Sequence, residues 1–237
     1  MIASRRSPLK PMPRMRTSLI LLVLCLVACA EPVGGPTAVI DAHGRITAEV
    51  TRVGGSKHGS ARCYHPNGAV AKQGSYRDDL KQGTWTHSHE NGRLTAELNY
   101  EQGRFHGNCR WWASNGQLLN DEHFVHGRLH GPIRRWFSDG SPRLEVEYIN
   151  GKAEGPYRRW VRDGDTTQHG SLIQGHYLNG LSSGTWLGLT GDGRIMSKGL
   201  MLNGERRGVW QYWDRNGTLS HEDSYRPLEV PAPAAKP

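Results

Sequence analysis

Apolar residues recur along the chain with a regular period, and glycines mark each period. The pattern is clearest between Gly103 and Gly131, where the His-Gly at Gly107 recurs at Gly131. Across the chain, the equivalent glycines follow one another in steps of 24, 24, 24, 24, 29 and 24 residues. They are Gly59, Gly83, Gly107, Gly131, Gly155, Gly184 and Gly208. A fixed period in this range indicates a repeat architecture.

Three apolar columns define two strands in each repeat. The first is rich in tryptophan (Tyr64, Ser88, Trp112, Trp136, Trp160, Leu189, Trp213), the second in aliphatics (Val70, Leu94, Leu118, Pro142, Ile195, Leu219), and the third in tyrosine (Tyr76, Tyr100, Phe124, Tyr148, Tyr177, Met201, Tyr225). Asn-Gly or Asp-Gly separates the first two columns, which is a strong hairpin signal.

The type of hairpin turn decides which columns share a face of the sheet. A two-residue type I′ turn would put the tryptophan and aliphatic columns on opposite faces. A three-residue loop, a type I turn followed by a left-handed glycine, would put all three columns on one face. Pro66-Asn67-Gly68 favours the three-residue loop, because the fixed φ of proline suits the first central position of type I. We therefore expect a bulge at the glycine and one shared apolar face.

The predicted fold is all-β: an elongated antiparallel β-meander of tandem 24-residue hairpin repeats, with about fifteen strands between residues 43 and 225. Residues 43–52 are predicted to form a half repeat that caps the N-terminal end. The residues added by the 29-residue step, around 165–170, predict one longer hairpin tip. The tail, residues 226–237, is rich in Pro and Ala and is predicted to be disordered.

The N-terminal residues 1–29 are typical of a bacterial lipoprotein signal. Five basic residues precede a short apolar run, residues 19–28, which is far shorter than the roughly 20 residues that span a bilayer. Leu26-Val27-Ala28-Cys29 resembles the lipobox, which implies lipidation at Cys29. The alternative is a plain signal peptide cleaved near Ala28 or Ala30. Translation can start at Met1, Met12 or Met15, and residues 30–42 are predicted to be a tether.

The signal also changes the meaning of the net charge. The chain carries +8, but without the five basic residues of the signal 25 basic residues face 22 acidic ones. The basic balance is therefore largely a targeting feature, and no nucleic-acid partner is predicted. Cys63 and Cys109 remain as thiols after the signal. We predict that they lie four strands, about 19 Å, apart and do not form a disulfide within one chain.

The pattern G-x-x-H-G-x-x-x-x-W-x-x-N-G-x-L-x-x-E-x-x-Y resembles the bacterial MORN-repeat variant over roughly residues 43–225. The resemblance implies an elongated meander of hairpins side by side. Many bacterial proteins of this kind are labelled antitoxins of toxin–antitoxin systems, and eukaryotic members are associated with membranes and scaffolding.

Arginines and tryptophans form the candidate interaction surface. Arg110, Arg134 and Arg158 stand two residues before Trp112, Trp136 and Trp160, and Arg135 and Arg159 flank this column. One interpretation is a groove for an acidic partner or a lipid headgroup. The other, which we favour, is local pairing with an acidic column, Glu97, Asp121, Glu145 and Glu222.

No catalytic motif is found, and no cofactor or metal is expected. Histidines such as His58, His106 and His130 repeat at turns, about 10 Å apart, and should not converge on a metal; His87 and His89 are the nearest to a ligand pair.

Two functions remain open. The first is a non-catalytic envelope lipoprotein, anchored by lipid in the outer membrane and facing the periplasm, that presents its sheet to an envelope protein or acidic lipid headgroups. The alternative is an antitoxin or immunity protein that neutralises a toxin acting in the envelope.

Overall fold

The computed structural model describes residues 34–162 and 170–227, and these residues form strands and turns without a helix. The strands are β1 (Pro36–Ile40), β2 (Ile46–Val53), β3 (Ser56–Tyr64), β4 (Val70–Arg77), β5 (Leu80–Ser88), β6 (Leu94–Glu101), β7 (Arg104–Phe105), β8 (Gly107–Trp112), β9 (Leu118–Val125), β10 (Arg128–Leu129), β11 (Gly131–Trp136), β12 (Pro142–Ile149), β13 (Lys152–Trp160), β14 (Leu172–Leu178), β15 (Leu181–Leu189), β16 (Ile195–Leu202), β17 (Glu205–Trp213) and β18 (Leu219–Ser224).

All strands belong to one antiparallel sheet in which neighbours in sequence are neighbours in space. Two rows of the sheet are interrupted: β7 and β8 share β6 as a partner, and β10 and β11 share β9. The interruptions fall at His106 and His130, each followed by a glycine with positive φ, 84° at Gly107 and 92° at Gly131. The predicted all-β meander of tandem hairpins is confirmed.

The hairpin tips have the predicted three-residue loop. In the first complete repeat, the Gly68 N–H donates to His65 O over 2.9 Å, and the His65 N–H donates to Ala69 O over 2.8 Å. Gly68 has φ +85°, as the left-handed position after a type I turn requires. The same pair of hydrogen bonds recurs at the later tips, for example at Gly116 and Gly140.

The prediction that all three apolar columns share one face is wrong. Tyr64 pairs with Val70, but its neighbour Cys63 pairs with Lys72, so the β4 strand carries one extra residue just after the turn. Because an extra residue reverses the alternation of side chains, the tyrosine column lies on the face opposite the tryptophan and aliphatic columns. The same shift follows the other tips, for example between Trp111 and Trp112.

The hydrophobic core lies on the face that carries the tyrosine column, which we call the core face. Its buried residues stand two positions after the repeat glycines or directly across from them, among them Ala61, Trp85, Leu98, Cys109, Ile133 and Val146. Tyr76, Tyr100 and Phe124 pack against the first four of these residues, whereas Ile133 and Val146 belong to a second cluster, covered by Tyr148, Tyr157 and Tyr177. The Tyr100, Phe105 and Phe124 rings follow one another at centroid distances of 4.9 and 5.1 Å. A single layer of sheet is thus covered by large rings.

Buried tryptophans on the core face lie against glycines of the preceding strand. A Cβ at Gly74 would lie 2.3 Å from the Trp85 ring, and a Cβ at Gly199 would lie 2.0 Å from the Trp210 ring. The indole N–H of Trp85 donates to Ser75 O over 3.0 Å. In the next repeat, Leu98 stands at the position of Gly74, and the smaller Cys109 stands at the position of Trp85. Residue size is therefore matched between adjacent strands.

The sheet begins earlier than the predicted repeat domain. Strand β1 lies within the segment predicted as a tether and pairs with β2 along its length, with Ala38 opposite Glu49. The signal with Cys29, the tail from residue 228 and nearly all of the predicted longer tip lie outside the residues described. Within residues 34–162 and 170–227, no helix is long and apolar enough to cross a membrane.

Cys63 and Cys109 are both free thiols. Cys63 lies in β3 and Cys109 in β8, and strands β4, β5 and β6 lie between them. This is the separation of four strand steps that the repeat register predicts.

Candidate functional site

The face opposite the core face carries a row of charged residues that are cross-strand neighbours, and we call this row the charge ladder. Its six members come from six adjacent rows of the sheet and alternate in sign. In order they are Glu97, Arg110, Asp121, Arg134, Glu145 and Arg158. Each arginine inside the ladder therefore has a carboxylate on either side, and the ladder as a whole carries no net charge.

Contacts within the charge ladder match its register. Arg110 Nε lies 3.3 Å from Asp121 Oδ1, and Arg158 Nη1 lies 3.6 Å from Glu145 Oε2. Arg134 stands directly between Asp121 and Glu145. Opposite charges facing each other across strands stabilise a sheet modestly. The structure therefore favours local pairing over an open anion groove for Arg110 and Arg158.

The three predicted tryptophans share the face of the charge ladder. Trp112, Trp136 and Trp160 end strands β8, β11 and β13, two residues after the ladder arginines, and each is half-buried. They pair with Leu118, Pro142 and Leu172 beside the hairpin tips. Three Arg-Trp pairs thus lie on one face, on alternate rows of the sheet.

Arg135 and Arg159 lie on the other face, because they follow the ladder arginines by one residue. Both are cross-strand neighbours of Leu144. Together with Arg143 and Tyr157 they line a depression of about 250 Å³ on the core face. The predicted interaction residues are therefore split between two faces, and the sequence prediction missed Arg143.

One of the arginines in this depression is paired with an acid that does not line it. Arg135 Nη2 lies 2.7 Å from Glu122 Oε1, and the Glu122 side chain is only 8% exposed. Arg143 and Arg159 are exposed and have no ion pair among the described residues; Arg143 lies over the Phe137 ring instead. Burial raises the pKa of the Tyr157 phenol, and the charge of Arg159 partly offsets that rise. The depression therefore carries an excess of positive charge beside a tyrosine.

The repeated histidines act in the turns, as their period predicts. At several junctions between repeats, the side chain just before the repeat glycine faces the left-handed turn residue of the following repeat. At four junctions it accepts a hydrogen bond from that residue's backbone N–H. The pairs are Gln102 N to Gln82 Oε1 (3.1 Å), His126 N to His106 Nδ1 (3.5 Å), Asn150 N to His130 Nδ1 (3.5 Å) and Asn179 N to Glu154 Oε2 (2.7 Å).

His87 and His89 do not belong to the ligand cluster found among the described residues. His87 is partly buried in β5, and its Nε2 has no hydrogen-bond partner within the described part of the chain. Burial lowers the pKa of His87, and the charges of Lys72 and Lys81 lower it further. The backbone of His89 closes a hairpin tip through hydrogen bonds with Arg93 and Gly92.

The period, the hairpin tips and the meander together describe a known kind of repeat. Residues 57–78 and 81–102 match the MORN repeat variant. This match supports a MORN-repeat family for the chain, and the same register continues in the structure through β18. No curated protein matches the sequence. MORN repeats generally serve as non-catalytic interaction modules, so the function class that the fold supports is a repeat-based interaction scaffold.

Proposed function

We propose that this MORN-repeat protein is a non-catalytic envelope lipoprotein that holds an acidic protein partner on the core face of its sheet. The observation that carries the proposal is the depression lined by Arg135, Arg143 and Arg159. Arginine binds carboxylates with two parallel hydrogen bonds, which gives both affinity and orientation. The lipid on Cys29 would keep this surface close to the membrane.

The contrast between the two faces supports this choice. Arg110 and Arg158 already pair with carboxylates within the sheet, and Arg134 stands between two acids, so a partner would have to compete with those acids. Arg143 and Arg159 have no ion pair among the described residues, and Tyr157 with Leu144 offers apolar contact beside them. Aromatic residues and arginines are enriched where protein partners bind.

Two double variants on opposite faces test the proposal. Arg143→Gln with Arg159→Gln removes the core-face cations, and Arg134→Gln with Arg158→Gln is the matched control on the charge ladder. With the partner recovered by crosslinking from position 157, which lines the same depression and leaves the arginines intact, we expect the core-face variant to weaken binding at least about tenfold and to reduce its salt dependence. Equal binding by both variants and the wild type would contradict the proposal.

The same experiment separates the remaining alternatives. Vesicles containing acidic lipids should bind the wild type no better than neutral vesicles do, if the partner is a protein. If the crosslinked partner is encoded by a toxin-like gene next to this one and is recovered in a complex of equal stoichiometry, the antitoxin or immunity function would be assigned instead.

A further inference from the structure

One junction between repeats gathers three possible metal ligands. His106 stands before the repeat glycine Gly107, and His126 is the left-handed turn residue of the next repeat, with φ 48°. Glu101 ends β6, five residues before His106. One ligand atom from each of Glu101, His106 and His126 lies within 4.8 Å of the others.

The distances within this cluster suit a small cation. Glu101 Oε2 lies 3.1 Å from His106 Nδ1 and 3.6 Å from His126 Nδ1. In a tetrahedral zinc site, with bonds near 2.0–2.1 Å, two ligand atoms lie about 3.3 Å apart. The two histidine rings are 5.1 Å apart, centroid to centroid, and tilted by 59°, so both nitrogens can approach the same carboxylate without the rings stacking.

We propose that Glu101, His106 and His126 form a binding site for a divalent transition metal ion of the zinc class. Two imidazole nitrogens and one carboxylate are typical zinc ligands, whereas Mg²⁺ and Ca²⁺ prefer oxygen ligands alone. The side chains are 45%, 39% and 71% exposed, respectively, so water can supply the fourth ligand. The ion would replace the long hydrogen bond from His126 N to His106 Nδ1 and would join two successive turns.

The other junctions show why this one is different. The residues at the same three positions are Arg77, Gln82 and Gln102 one repeat earlier, and Val125, His130 and Asn150 one repeat later. Each of these junctions keeps the turn hydrogen bond, but neither offers a carboxylate and two imidazoles. Glutamine in place of His106 and asparagine in place of His126 therefore occur naturally at equivalent positions of this chain, where the turn forms.

The test measures zinc binding to the full chain, without an affinity tag, after treatment with a chelator. Titration calorimetry with ZnCl₂ should find one site in the wild type. Its affinity for zinc should be at least about tenfold lower in His126→Asn and in His106→Gln. Glu101→Gln should have the same direction of effect. His130→Gln, at the equivalent position of the next repeat, is the matched control and should bind zinc as the wild type does.

Thermal unfolding gives an independent readout, because a ligand that binds only the folded chain raises its melting temperature. Zinc should raise the melting temperature of the wild type and of His130→Gln, but not that of His126→Asn, while MgCl₂ should have no effect on any of them. Wild-type protein that binds no zinc would overturn the proposal. So would His126→Asn that binds zinc as tightly as the wild type, or an equal loss of binding in His130→Gln.

Discussion

The contact between Gly74 and Trp85 gives the sharpest prediction about stability. Trp85 is 3% exposed, and its ring covers the Cα of Gly74 on the preceding strand. A Cβ at Gly74 would lie 2.3 Å from Cδ2 and 2.4 Å from Cε2 of the indole. The backbone of Gly74 is not in the left-handed region, so an alanine there is unfavourable only because of this collision. We expect Gly74→Ala to force the indole away from the sheet.

The magnitude follows from two terms. Overpacking a well-packed core costs about 1–3 kcal/mol. Displacing the indole also weakens its 3.0 Å hydrogen bond to Ser75 O, which contributes about 1 kcal/mol. Gly74→Ala should therefore lower the free energy of unfolding by about 2–4 kcal/mol. Gly35→Ala is the control, because a Cβ at Gly35 would meet nothing within 4 Å.

The next repeat shows how the cost can be relieved. There the same two positions hold Leu98 and Cys109, a large residue followed by a small one. Gly74→Leu and Trp85→Cys should each destabilise the protein, but the double variant should be more stable than the sum of the two effects by about 1 kcal/mol or more, since residues in contact are not additive.

Urea unfolding followed by circular dichroism measures these differences. Because repeat arrays lose structure locally, amide hydrogen exchange in β4 and β5 should be measured alongside. A Gly74→Ala protein as stable as the wild type would refute the reasoning, and so would strict additivity in the Gly74→Leu, Trp85→Cys pair.

Three further predictions concern other parts of the chain. Cys29→Ser should release the protein from membranes and abolish labelling by a radioactive fatty acid; unchanged retention would mean a different anchor. Arg134→Glu would place a third carboxylate between Asp121 and Glu145 and should destabilise the sheet by about 1 kcal/mol, less at high salt, as urea unfolding would measure. Burial lowers the pKa of His87 in the folded chain, so the unfolded chain takes up a proton there first as the pH falls. The stability that comes from keeping His87 neutral is therefore complete above pH ~6.5 and is lost as the pH falls further. His87→Gln should flatten this part of a plot of stability against pH.

The fold was predictable from sequence because its signals are local and repeated. The Asn-Gly or Asp-Gly dipeptides predicted the hairpin tips, and the regular recurrence of the repeat glycines predicted the order of the strands. The facing of the columns was not predictable in the same way. It depends on one extra residue in the strand after each tip, such as Ala71 between the paired residues Val70 and Lys72, and nothing in the composition of that position marks a bulge.

The candidate residues could be placed only in part from the sequence. Pairing between Arg110 and Asp121 was expected from their columns, and the structure confirms it. Arg135 lies one residue from the charge ladder and consequently on the other face, where it meets the buried Glu122. The same position holds the apolar residues Leu98 and Val146 in the two neighbouring repeats, so no periodic signal linked Glu122 to an arginine.

Periodicity also hides chemistry that arises between different columns. Equivalent residues in successive repeats lie about 10 Å apart, too far to share a ligand, and comparing each histidine only with its equivalents therefore argues against a metal site. His106 and His126 are not equivalent: one precedes a repeat glycine, and the other occupies the turn of the next repeat, 20 residues later. The fold brings these two positions into contact at each junction described above, and the residues placed there decide whether the junction is only a hydrogen-bonded turn or also a ligand cluster. In a repeat sheet of this kind, a binding site therefore depends on the combination of columns at a junction, and the period of any one column does not reveal it.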